Sequence, residues 1–125
     1  MINELAQQVH KNARDKGFFD QPKNLGEMLC LIHSEVSEAL GAIRQEKYAS
    51  NKDISDSDYL LERGNIQDWD SHFKHHIKNT FEDELADIVI RIMDLCAFKN
   101  IDLEWHIKAK MRSNELREFK HGKQF

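Results

Sequence analysis

The sequence predicts an all-α protein. Three observations carry this. There is one proline and there are five glycines in 125 residues, no run alternates with period two, and four long segments repeat their apolar residues at helical spacing.

The first helix is expected from about Asn3 to Lys16, with Leu5, Ala6, Val9 and Ala13 on one face and Asn3 as its cap. Gly17 can end it, and Phe18 and Phe19 would anchor the turn that follows. The second runs from about Leu25 to Lys47. Asn24 is a good cap, Glu27 three residues on resembles a capping box, and the stripe is Leu25, Met28, Leu29, Ile32, Val36, Leu40 and Ile43.

Residues 48–78 read as a polar insertion. The expectation is a long loop with short helical turns near Tyr59–Glu62 and His72–Ile77. A loop of that length in a compact domain points to function or a partner contact. The third helix is expected over Phe81–Phe98, capped by Thr80 with Asp83 three residues on. The fourth is expected from about Leu103 to Glu118, capped by Asp102, with a basic tail from Phe119.

The length suits one domain, and helical chains of this size often finish their core by oligomerising. With 22 acidic and 18 basic residues the formal net charge is -4, so no global basic field exists to hold a nucleic-acid polymer. The stretch from Lys108 onward is locally basic, which suits a small anion. No apolar run is long enough to cross a membrane, and the polar start "MINELAQQVHKNARDK" lacks a signal-peptide core, so the expected location is cytoplasmic. Cys30 and Cys96 fall in apolar helical pattern and read as small buried hydrophobes without a disulfide framework.

The residues that bear chemistry are acids set where a core should be. "EVSEAL" carries Glu35 and Glu38, and "ELADIV" carries Glu84 and Asp87. With Ile32 at zero on a helical wheel, Glu35 falls at about −60° and Glu38 at about −120°, on the flank of the apolar stripe. With Ile88 at zero, Glu84 falls at about −40°, Arg91 at −60° and Asp87 at −100°. Clustered carboxylates beside a core repel one another and resist ionisation, and a divalent cation relieves both problems. Oxygen-only ligands favour Mg²⁺, with Mn²⁺ or Ca²⁺ as the other candidates. On the fourth helix Lys110, Asn114 and Arg117 share the arc where Leu103 begins an apolar stripe, and they can line a polar pocket that holds phosphate oxygens and a base or sugar.

Other chemistries fit less well. Di-iron sites want Glu-x-x-His on two helices, and neither acidic motif supplies the histidine. "HFKHHIK" (His72, His75, His76) offers zinc ligands, but without cysteines and in an expected polar loop it reads as solvated surface. His33 lies off the acid face. Trp105 reads as packing, and no glycine-rich phosphate loop occurs.

Three stretches, "NLGEMLCLIHSEVSEALGAIR", "FEDELADIVIRIMDLCAFKNIDLE" and "KMRSNELREFKHGK", resemble the MazG-like all-α nucleoside triphosphate pyrophosphohydrolases, in the expected order and over about half the chain. The resemblance implies a four-helix bundle completed as a homodimer or homotetramer, with Mg²⁺ held by Glu35, Glu38, Glu84 and Asp87. It implies a nucleoside triphosphate substrate cleaved to monophosphate and pyrophosphate, with Glu35 or Glu38 orienting water. Lys110, Asn114 and Arg117 match the substrate side, followed by Lys120 and His121. The family often places two adjacent glutamates at the first motif, whereas Ser34 precedes Glu35 here, which leaves the general base open. The insertion also lengthens the gap between the motifs. Two other readings stand beside this one. One is a non-catalytic nucleotide-binding oligomer or regulator, and the other is a hydrolase of a different pyrophosphate compound.

Overall fold

A computed structural model of the chain describes residues 1–122 and Gln124, with His121 and Gly122 described by their backbone alone. It is all-helical: among the described residues there are six α-helices, a terminal 3-10 turn and no strand. The helices are α1 (Ile2–Asp15), α2 (Leu25–Arg44), α3 (Asn51–Arg63), α4 (Ile66–His76), α5 (Phe81–Phe98) and α6 (Leu103–Glu115). None of them is long and apolar enough to cross a membrane.

The four expected helices are present, and most of their caps are the expected ones. Asn24 accepts the Glu27 amide at the start of α2, Thr80 the Asp83 amide at α5, and Asp102 the Trp105 amide at α6. Each satisfies an amide that the first helical turn leaves without a partner. Gly17 adopts φ +86 just past α1, a backbone that glycine enters without a Cβ penalty. Asn3 is not a cap. Met1 occupies that position, and Asn3 lies within α1, where its amide donates to Asp102 at 2.7 Å and its carbonyl accepts the Glu104 amide at 3.1 Å.

The insertion departs from expectation. Instead of a loop it forms two full helices. Ser50 and Asp53 make a complete capping box at α3, and Asn65 accepts the Asp68 amide to start α4. Gly64 makes the corner, where a Cβ would lie 2.9 Å from the Leu60 carbonyl oxygen. The two helices run antiparallel. Ser57 Oγ lies 2.8 Å from His72 Nδ1, and four residues away on each helix Asp53 Oδ1 lies 3.6 Å from His76 Nδ1. Ser50→Ala is expected to lower stability by about 1 kcal/mol and reduce helicity, measured by urea unfolding followed by circular dichroism.

The chain divides into two compact units, residues 1–22 with 92–125 and residues 23–91. The first centres on Ala6, Met93 and Ala97, with Ile2, Val9 and Leu103 packed against them. Phe19 packs against Phe98 with tilted rings, centroids 5.0 Å apart, and meets the His10 ring edge-on, while Phe18 stays exposed. His10 Nδ1 lies 2.9 Å from Asp94 Oδ1.

The second unit holds α2, α3, α4 and the first part of α5. Helices α2 and α5 run antiparallel in it. The Phe81 amide donates to the Lys47 carbonyl at 2.8 Å just beyond the end of α2, and further along Arg91 reaches back to Glu35. The apolar stripe of α2 is not the interior of this unit. Leu25, Leu29, Val36, Leu40 and Ile43 are all exposed, as are Leu85, Val89 and Ile90 on α5. The residues buried on α2 are Glu35, Ala39 and Ala42. Cys30 and Trp105, expected inside, are exposed too, whereas Cys96 is buried.

Candidate metal centre

The helical spacing of the acids brings them together. Glu35 and Glu38 are one turn apart on α2, and Glu84 projects from the facing first turns of α5. One carboxylate oxygen from each of the three lies within 4.8 Å of the others. Glu35 and Glu84 are buried, at 7% and 5% exposure, so the charges are largely withdrawn from water. Glu38 is exposed and forms the open side of the cluster.

Asp87, the fourth expected ligand, is half-buried and stands outside that trio. It still belongs to the same electrostatic environment. Burial raises its pKa, helped by the charges of Asp83 and Glu35 and opposed by Arg91 and Lys78.

Arg91 is the residue that the sequence reading did not include in the site. Its Nε donates to Glu35 Oε1 at 2.7 Å. Its wheel position on the acid flank of α5 was the available signal, and the pairing partner on α2 supplies the reason. One guanidinium cannot neutralise three carboxylates, and the uncompensated charge, with burial, shifts their pKa values.

Burial drives the Glu84 pKa up to about 7, with repulsion from Glu38, Asp87 and Glu35 adding to it. Glu38 is raised by its hydrogen bond with Glu35 and by the charge of that neighbour. At Glu35 burial works against ionisation, yet hydrogen bonds with Glu38 and Arg91 outweigh it and hold the pKa below its ordinary value. Without a cation, the cluster therefore keeps protons that solvated carboxylates would have lost.

The donor set fits a hard divalent ion. It is oxygen-only, carries excess negative charge and has one exposed side for water or phosphate oxygens. One oxygen each from Glu35, Glu38 and Glu84 would be the group to hold such an ion.

The residues expected on the substrate side belong to the other compact unit. Lys110 and Asn114 are on α6, with Lys110 exposed and Asn114 half-buried. Helix α6 stops at Glu115 with Leu116 as its cap, short of the expected Glu118. Arg117 consequently lies past the helix end, and its position on the helical arc does not hold. Its amide instead donates to the Asn114 carbonyl at 3.2 Å. The Asn114 side-chain oxygen is buried without a hydrogen-bond partner among the described residues. An acceptor left in that state costs about 1–3 kcal/mol, so its retention needs a reason. Lys120 is exposed, with its Nζ 5.8 Å from the Phe119 ring. The His121 side chain lies outside the described residues.

Comparison of the chain with protein-family models, with curated proteins and with solved structures gave no match.

Proposed function

We propose that this chain is a Mg²⁺-dependent nucleoside triphosphate pyrophosphohydrolase of the MazG-like kind, converting a (d)NTP and water to (d)NMP and pyrophosphate. The observation that carries the reading is the convergence of Glu35, Glu38 and Glu84 on one point between antiparallel helices, two of them buried. A fold gains nothing in stability from buried like charges, whereas a cation site needs them.

When bound, Mg²⁺, or Mn²⁺ in its place, supplies charge neutralisation of the phosphates and a lowered water pKa. The protein supplies position and proton traffic. Glu35 and Glu84 are buried, and Arg91 holds Glu35. Glu38, the exposed member of the cluster beside Glu35, would orient the attacking water and take its proton. Asp87 adds negative charge beside the trio and serves as the remaining ligand of the set. The family resemblance also assigns Lys110, Asn114 and Arg117 to the substrate, the two cations to offset phosphate charge and the amide to hydrogen-bond a base or sugar. Positioning and electrostatics supply the catalysis.

The working form is a homodimer or homotetramer. The exposed apolar residues of α2 recur at helical spacing as one stripe, which a second copy of the chain would cover.

A non-catalytic nucleotide-binding oligomer or regulator draws on one observation, the Arg91–Glu35 pair, which neutralises one acid without a cation. Product analysis separates the readings. Incubation with Mg²⁺ and a panel of canonical and modified (d)NTPs is expected to release pyrophosphate and not phosphate. Tight nucleotide binding with no release from any compound would establish the regulator instead.

A further inference from the structure

The histidines of the insertion play no part in the reaction above. In an unstructured loop they would be surface residues, but α4 changes their relationship. His72 and His76 are four residues apart on a helix and share a face, with ring centroids 4.6 Å apart. We propose that His72 and His76 form a second metal site, specific for a borderline transition cation such as Zn²⁺, held through the two Nε2 atoms.

The support lies in what each ring does with its other nitrogen. A metal-bound histidine characteristically gives its remaining N–H to a hydroxyl, carbonyl or carboxylate, which fixes the tautomer and aims the ring. His72 Nδ1 lies 2.8 Å from Ser57 Oγ. His76 Nδ1 lies 3.6 Å from Asp53 Oδ1, an ion-pair contact longer than a hydrogen bond that still sets a carboxylate behind the ring. Both backing groups come from α3. Neither Nε2 makes a hydrogen bond among the described residues, and both histidines retain solvent access.

His75 does not belong to the pair. Its Nδ1 bonds the Ser71 carbonyl of its own helix at 2.7 Å, and its ring is 6.5 Å from that of His76. Ligand chemistry separates this site from the acids: imidazole selects Zn²⁺, Ni²⁺ or Cu²⁺, and a carboxylate cluster selects Mg²⁺. Two protein ligands leave positions for water. Binding would stiffen α4 and, through Ser57 and Asp53, tie it to α3.

The test is calorimetric titration of the full chain with Zn²⁺ in excess Mg²⁺, which keeps the acids occupied. One Zn²⁺ per chain is expected. His72→Gln or His76→Gln should abolish binding, and Ser57→Ala should weaken it about tenfold. Glu84→Gln and His75→Gln should leave it unchanged. Ring-nitrogen NMR provides a readout in the unmutated protein: Zn²⁺ should shift Nε2 of His72 and His76 and leave His75 in place. Zn²⁺ binding that survives His76→Gln, that disappears with Glu84→Gln, or that never occurs overturns the assignment.

Discussion

Glu84→Gln is expected to abolish pyrophosphate release, by about a hundredfold or more, while making the metal-free protein more stable at alkaline pH. The two effects have one cause. Glu84 is buried among other acids and its pKa is raised to about 7, above the ordinary 4.5. The folded state therefore holds this proton more tightly than the unfolded chain does. The resulting stabilisation is fully present below about pH 4.5 and is lost as pH rises through about 7. Above that, the buried charge costs on the order of 3 kcal/mol. Glutamine mimics the protonated acid, so the variant should match the parent at pH 5 and exceed it at pH 8. Urea unfolding in EDTA at both values measures this.

Mg²⁺ should reverse the order at pH 8 by stabilising the parent and not the variant. Glu38→Gln and Asp87→Asn should also lose turnover with the fold intact. Full activity in both of these, or equal Mg²⁺ stabilisation of Glu84→Gln and parent, would end the metal-site reading. A purely structural role for the acids predicts no Mg²⁺ effect at all.

Whether a feature could be read from the sequence depended on what holds it in place. Helices α2 and α5 were legible because caps at Asn24 and Thr80 precede long apolar stripes. The burial of Glu35 and Glu84 does not follow from those stripes, because their leucines and valines are exposed and the buried face of α2 is Glu35, Ala39 and Ala42. Helices α3 and α4 were not legible, because their contact is polar. Ser57 faces His72 and Asp53 faces His76, and although the apolar residues of both helices favour one face, they are too few to stand out from a polar segment. The signal that did exist was local, in Ser50 with Asp53 and in Asn65 before Asp68. The end of α6 was placed too late because Arg112, Ser113, Asn114 and Glu115 continue into Leu116 and Arg117 with no glycine or proline to mark a stop. The Arg91–Glu35 pair joins two helices far apart in sequence, and wheel positions on separate helices do not reveal which partners meet.

The apolar stripe poses a different question, because it was identified correctly and its covering was not. On α2, Leu29 is 53% exposed, Val36 50% and Leu40 49%. The same helix buries two alanines and a glutamate. A chain alone in water would lose stability by this arrangement, since covering each half-exposed leucine or valine is worth about 1 kcal/mol. Five such positions on α2, with Leu85 and Val89 on α5, make a seam whose burial can exceed the entropy cost of association.

The expected result is that the 14.7 kDa chain elutes as a dimer or tetramer, and that Val36→Glu with Leu40→Glu elutes as a monomer with a lowered melting temperature. Glutamates at the centre of the seam would have to be buried without partners, a cost of several kcal/mol that a surface pair would not incur. The control is the same double change at exposed polar positions of α2, such as Ser37 and Arg44, which should leave the assembly intact. Sedimentation equilibrium decides between the two oligomers. A monomeric parent protein would mean that the stripe serves another partner, since Glu35 and Glu84 would still occupy the buried side of their helices.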